Sequence, residues 1–198
     1  MLAFSFAVFM LLITPGPGVL TTAGVGAAFG FQSGLRYVAG LCIGNNLVAL
    51  AVISGLATVV FAVPWARVIL LILSTMYLIY LAARIAFAGS NIAFIEARSC
   101  PGVRSGIMLQ AINPKAYVVN TALFSGFAFL PQSLLTETAI KIVLFNLIWI
   151  PIHLLWLYGG GMVQQLNLAP RTQRRINLVM AALLLGVVAL ALTQVEPH

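Results

Sequence analysis

Two apolar stretches of the sequence are each interrupted by residues that end one helix and start another. The first interruption is T-P-G-P-G at Thr14–Gly18, and the second is N-P-K at Asn113–Lys115, about half of the 198-residue chain later. In each, a favourable N-cap residue, Thr14 or Asn113, precedes a proline. A helix that restarts there presents unpaired N–H groups and its positive dipole end, which suit a carboxylate. We therefore predict a substrate-binding site formed by Thr14, Pro15, Gly16, Pro17, Gly18, Asn113, Pro114 and Lys115.

Lys115 places a charge inside an apolar segment. A lysine near the bilayer centre costs about 2.5–3.5 kcal/mol, and such residues usually line a polar pathway. The alternative, snorkelling to the headgroups, is disfavoured because the segment begins near Arg104, roughly 16 Å away along a helix. For each embedded asparagine taken alone, hydrogen bonding between helices is the favoured explanation. Weaker candidates for the pathway lining are Asn45, Asn46, Gln110, Asn120, Asn146 and His153.

The composition indicates that these segments lie in lipid. Of all residues, 62% are hydrophobic and 7% are charged, and the mean hydropathy is +1.10. A soluble domain carries about a quarter charged residues. Six segments are long and apolar enough for the roughly 20 residues that a membrane helix needs. They are Phe4–Phe31, Tyr37–Phe61, Arg67–Phe87, Ser105–Leu130, Thr138–Val163 and Ile176–Thr193.

We predict an all-α membrane protein with six transmembrane helices in two inverted three-helix repeats. The repeats comprise residues 1–88 and 105–198, and a loop at 89–104 connects them. Three spans is an odd number, so the repeats enter the membrane in opposite directions. Helices one and four are the broken ones, and such paired interruptions are typical of transporter sites. The repeat is inferred from this pattern alone, since the halves show no clear residue-level similarity.

The net charge of +7 is distributed in a way that argues against nucleic-acid binding. The basic residues lie in short gaps between apolar segments, mostly around the first, third and fifth connections. The positive-inside rule therefore places both termini outside. No Lys or Arg precedes Arg36, unlike a secretory signal, so the first segment is interpreted as a retained span.

Chemistry other than binding has little support in the sequence. Glu96, Glu137 and Glu196 all fall in predicted loops or tails, so no carboxylate is expected within a span. No embedded nucleophile–base pair or metal-ligand cluster is found, and we expect no enzyme, no metal and no cofactor. The expected partners are a small zwitterionic solute and the lipid bilayer, and a homo-oligomer is left open.

Three strings carry a resemblance to the LysE/RhtB superfamily of bacterial amino-acid exporters. They are T-P-G-P, the G-L-R-Y-V-A-G-L-C-I-G-N run at Gly34–Asn45, and the R-S-G-I-M-L-Q-A-I-N-P-K-A run at Arg104–Ala116. The resemblance implies an inner-membrane secondary transporter that exports the homoserine, threonine, leucine or lysine class and is driven by protons. From the two breaks and Lys115 we expect it to work by alternating access. Gly18 departs from the polar residue that the superfamily commonly has there. The motif residues carry over to Pro15, Gly16, Pro17, Asn113, Pro114 and Lys115.

The alternative function is a passive channel or a membrane scaffold without coupled transport. A scaffold has no need of two matched helix breaks. A channel would show solute flux without a gradient requirement, and counterflow in proteoliposomes distinguishes it from a carrier. The sequence identifies neither the substrate nor the coupling ion.

Overall fold

The computed structural model describes residues 1–14, 16–55, 64–87, 100–166 and 169–193. Within these residues the protein is entirely helical, as the apolar composition predicts, and no strand is present. The helices are α1 (Leu2–Ile13), α2 (Pro17–Phe29), α3 (Phe31–Ile53), α4 (Pro64–Ala86), α5 (Val103–Ile112), α6 (Pro114–Ser125), α7 (Leu134–Gln165) and α8 (Pro170–Thr193).

Both predicted helix breaks are present. Between α5 and α6, Asn113 is extended and its side-chain oxygen accepts a hydrogen bond from the Lys115 N–H at 3.2 Å, which confirms it as an N-cap. Between α1 and α2 the N-cap is Gly16, so the prediction that Thr14 has this role is wrong. The Thr14 hydroxyl instead donates to the carbonyl of Met10 at 2.7 Å, because an acceptor lies one turn back in α1. Pro15 lies outside the described residues.

Two helices are long and apolar enough to cross a membrane, namely α3 and the Leu134–Val163 part of α7. The pair α1–α2 meets the same criterion as one span bent by 54°. These spans lie within the described part of the chain, and the total of six remains a prediction. The division at residues 89–104 also remains a prediction, since most of that loop is not described.

The first turn of α7 requires a correction. We expected Glu137 in a loop, but α7 begins at Leu134, so this carboxylate lies inside a candidate span. It is buried and forms an ion pair with Lys141 at 2.8 Å. The pair was missed because the fifth span was expected to begin at Thr138, which left Glu137 in the preceding loop although it lies one helical turn from Lys141.

Two close helix crossings hold the breaks near each other. Helix α2 packs on α7, and a Cβ added at Gly160 would lie 2.1 Å from the Ala23 carbonyl oxygen. Helix α5 packs on α3, and a Cβ added at Gly106 would lie 2.4 Å from the Tyr37 carbonyl oxygen. Only glycine allows such an approach of backbones, and small residues are the usual means of helix contact in membranes. Each broken helix is thus fixed against a long helix from the other half of the chain.

Candidate binding site between the two helix breaks

The two breaks meet at a cavity of about 40 Å³. A cavity needs roughly 10–15 Å³ to hold one water molecule, so this one has room for a few waters and not for an amino acid. The residues that line it with polar side chains, or as glycines, are Thr14, Gly16, Gly18, Asn45, Gln110, Asn113, Lys115 and His153. The remaining wall is formed by Leu11, Leu12, Val19, Ala116, Val119 and Trp149.

Lys115 connects the two breaks directly. Its ammonium group donates to the carbonyl oxygen of Thr14 at 2.8 Å, between residues 101 positions apart in the chain. The side chain lies over Gly16, where an added Cβ would be 2.8 Å from Lys115 Cδ and 2.9 Å from Nζ. Gly16 therefore leaves the space through which the lysine reaches the first break.

Gln110 and Asn113 form the wall beside Lys115. The Asn113 amide nitrogen donates to Gln110 Oε1 at 3.1 Å, and both side chains are buried. This bond leaves the Gln110 amide nitrogen on the side of Gly18, 3.9 Å from where a Cβ on that glycine would lie. The Gln110 side chain therefore presents a hydrogen-bond donor near the start of α2.

His153 also lies beside Gly18. Its Nδ1 lies 2.9 Å from the carbonyl oxygen of Trp149, and the two rings are stacked with centroids 3.5 Å apart. A carbonyl oxygen only accepts hydrogen bonds, so Nδ1 carries the proton of this bond. Nε2 is 3.4 Å from where a Cβ on Gly18 would lie. In the neutral imidazole this Nε2 is an acceptor.

Two asparagine pairs connect α3 to the second half of the chain, and they differ. Asn46 and Asn146 exchange two hydrogen bonds, both of 2.8 Å, and neither residue lines the cavity. Asn120 donates to Asn45 Oδ1 at 3.2 Å, but the Asn45 amide nitrogen and Asn120 Oδ1 have no partner among the described residues. Only Asn45 of these four lines the cavity.

Comparison with known proteins identifies the family of this chain. The family described as "LysE type translocator" matches residues 9–194, which is most of the sequence. The chain belongs to the LysE type translocator family. The resemblance noted for its motifs is thereby confirmed, and a translocator family agrees with the expectation that the chain is a membrane transport protein and not an enzyme.

One relative bears a functional name. The chain is 29% identical over 127 residues to a "Leucine efflux protein" of Klebsiella pneumoniae. The matched region covers 61% of this chain and 59% of the relative's length. No solved structure matches the chain.

The cavity of this LysE type translocator includes most of the predicted site residues and leaves others outside. Pro17 and Pro114 hold the first positions of α2 and α6 without lining the cavity. Asn120 is buried behind Asn45, and Asn46 and Asn146 are bonded to each other. The sequence-based prediction did not include Trp149 among the site residues, although its ring stacks on His153. The two residues are four positions apart, a spacing that brings side chains into contact on a helix.

A larger crevice of about 570 Å³ separates parts of α1, α2, α7 and α8 of the translocator. Its lining is apolar throughout, as in residues Phe9, Ile152 and Met180. A binding site for a polar solute needs a few convergent polar groups in addition to volume. The smaller cavity between the breaks has these groups, so it is the candidate site.

Proposed function

We propose that this translocator exports a small amino acid across a bacterial inner membrane, with leucine as the first candidate. The single observation that carries the proposal is the hydrogen bond from Lys115 to Thr14, which bridges the two helix breaks at the cavity. Lys115 and the restarted helix α6 together suit a substrate carboxylate. The name of the Klebsiella relative supports leucine as the solute to test first.

We further propose that the two halves of the chain form inverted repeats. The contacts between helices support this arrangement, since the broken pair α1–α2 packs on α7 and the broken pair α5–α6 packs on α3. If helices α1–α4 are exchanged in order with α5–α8, the contact of α1–α2 with α7 becomes the contact of α5–α6 with α3. The contact of α4 with α8 is unchanged by the exchange. This pattern is expected for inverted repeats with a site at their interface.

The size of the cavity and the position of Lys115 support alternating access. An amino acid requires the cavity of about 40 Å³ to enlarge. A substrate carboxylate would compete with the Thr14 carbonyl for the Lys115 ammonium, and so release a contact between the halves. A ligand shifts a conformational equilibrium when it binds one state better than the other. Carboxylate binding in the cavity would therefore favour the state in which the halves have separated.

Proton coupling and topology complete the proposal. Glu137 is the one carboxylate found in a described candidate span, and it is paired with Lys141. Lys115 and His153 are the titratable groups that line the cavity, so we assign proton coupling to one of them. The clustering of Lys and Arg at the first, third and fifth connections supports both termini lying outside.

The test is leucine efflux from loaded cells and leucine uptake into everted membrane vesicles. We expect Lys115→Met to abolish transport while the amount of protein in the membrane is unchanged. Arg104→Met is the matched control, because it removes an exposed cation from α5 outside the cavity. Unchanged transport in Lys115→Met would defeat the assignment of the site.

Two further measurements distinguish this mechanism from the alternatives. An uncoupler should stop net export if protons drive it. Counterflow in proteoliposomes should accelerate entry of labelled leucine when unlabelled leucine is inside, whereas a passive channel shows no such acceleration.

A further inference from the structure

Adjacent asparagines on α3 have opposite hydrogen-bonding states. Asn46 is satisfied, because it donates to and accepts from Asn146 at 2.8 Å in each direction. Asn45 is only 4% exposed, and its amide nitrogen has no partner in the described part of the chain. Asn120 Oδ1 is also without a partner there, but Asn120 does not line the cavity. Buried polar groups are normally hydrogen-bonded, so the Asn45 amide requires a partner from the cavity, either water or a ligand.

The cavity presents an excess of donors over acceptors. The donors are the Lys115 ammonium, the Asn45 amide nitrogen and the Gln110 amide nitrogen near Gly18. Among the lining side chains, Nε2 of His153 in its neutral form is an acceptor, whereas the amide oxygens of Asn45, Gln110 and Asn113 already accept hydrogen bonds. No Asp or Glu is found among the lining residues that the structure describes.

This distribution of donors and charge selects an anion. A carboxylate can accept hydrogen bonds from several donors at once, and its charge neutralises that of Lys115. An α-ammonium group would bring a second positive charge into the same small space, where the acceptors are a neutral imidazole, backbone carbonyls and amide oxygens that already accept a hydrogen bond. Like charges in a partly desolvated site repel each other strongly.

We propose that the cavity recognises the substrate's carboxylate through Lys115, Asn45 and Gln110, and that the α-ammonium group is dispensable for binding. This inference rests on the proposal that the cavity is the translocator's solute site. It extends the substrate class from amino acids to short-chain monocarboxylates of the same shape, such as 2-oxo acids. It also predicts that a cationic analogue without the carboxylate is excluded.

The first test compares three probes on the purified full-length protein in detergent. Leucine has both charged groups, 4-methyl-2-oxopentanoate has only the carboxylate, and leucinamide has only the ammonium. We expect the first two to raise the midpoint of thermal unfolding and to compete with each other, and leucinamide to bind at least tenfold more weakly. Binding of leucine alone, preferential binding of leucinamide, or binding of none of the three would overturn the inference.

The second test uses the two asparagines as a matched pair. Asn45→Leu removes the unpartnered donor and also the Oδ1 that accepts from Asn120, which keeps its other bond, to the Ala116 carbonyl at 2.7 Å. We expect this variant to bind 4-methyl-2-oxopentanoate about tenfold more weakly, with its unliganded unfolding midpoint lowered less than in Asn46→Leu. Asn46→Leu breaks both bonds to Asn146 and should lower that midpoint while leaving ligand affinity within about twofold. The reverse result would assign Asn45 a purely structural role.

Introducing a negative charge at Asn45 provides a readout that a structural role would not produce. Asn45→Asp introduces a carboxylate into the cavity, so it should weaken binding of 4-methyl-2-oxopentanoate and improve binding of leucinamide. Equal loss of both ligands would contradict the inference.

Transport and binding can fail separately in these tests. If the wild-type protein binds leucine and the oxo acid but moves neither, the carboxylate site stands and the proposed export is wrong. If it exports leucine but the oxo acid neither binds nor competes, export stands and the carboxylate rule is wrong.

Discussion

The interior of this protein contains two lysines whose surroundings differ sharply. Lys141 is 3% exposed and is bonded to the Glu137 carboxylate at 2.8 Å and the Gly126 carbonyl at 2.7 Å. Lys115 is half-buried at the cavity, and its one hydrogen bond among the described residues is to the Thr14 carbonyl. Among the residues that the structure describes, only Lys141 has an anion to neutralise it.

The difference separates a structural charge from one that is available to a ligand. Glu137 also accepts a hydrogen bond from the Phe129 N–H at 2.8 Å, so the ion pair fixes the connection between α6 and α7. A buried cation is stable when it is paired and hydrogen-bonded. Lys115 meets this condition only in part, and a carboxylate in the cavity would complete it.

The largest effect on stability is expected from Lys141→Met. Removing one partner of a buried ion pair leaves the other charge uncompensated, which is strongly destabilising. We expect the midpoint of thermal unfolding in detergent to fall by about 10 °C, while Lys115→Met leaves the midpoint nearly unchanged. Adding Glu137→Gln to Lys141→Met should recover part of the loss. If both single variants are equally destabilised, the distinction between the two lysines is wrong.

The next effect is expected from Gly16→Ala. The new methyl group would overlap the Lys115 side chain, which must then leave its position over the first break. Gly16 has an extended backbone, so alanine itself is not strained there. We expect leucine export to fall about tenfold, equivalent to about 1.4 kcal/mol in the transport step, with normal protein levels.

Gly159→Ala is the control for this substitution. No heavy atom lies within 4 Å of a Cβ at Gly159, an exposed position of α7, so export should be unchanged. Normal export by Gly16→Ala would show that the contact of Lys115 with the first break is not needed.

The smallest effect is expected from Asn113→Ala, which removes the N-cap of α6. Loss of such a cap costs about 1 kcal/mol, and here it also removes a bond to Gln110. We expect a slightly lower unfolding midpoint and an export rate reduced a few-fold, because the backbone of Lys115 is less firmly held. Asn113→Ser, which keeps a capping oxygen, should recover the midpoint but not the Gln110 contact. Identical midpoints for both variants would indicate that capping is unimportant at this break.

Local features of the sequence predicted a large part of the fold. Hydropathy identified the helical membrane architecture, and the prolines located both breaks, because these effects depend on neighbouring residues. Boundaries were less accurate. For example, α3 begins at Phe31 rather than Tyr37, since Gly30 with φ of 81° ends α2 and allows an immediate restart.

The candidate site was predicted in outline but not in its contacts. Thr14 and Asn113 were treated as equivalent N-caps, yet only Asn113 has that role, because Thr14 bonds back to Met10. Asn45 and Asn46 were ranked together, although one faces the cavity and the other is bonded to Asn146. Glu137 was assigned to a loop, and its ion pair was missed.

The sequence alone determined that this chain enters lipid, that two of its helices are broken, and that a lysine follows the second break. These properties arise from composition and from the local chemistry of proline and N-caps. Tertiary structure decided which polar groups are paired and which face the cavity. The bonds Lys115–Thr14 and Asn46–Asn146 join residues 101 and 100 positions apart, so they exist only after the helices have packed.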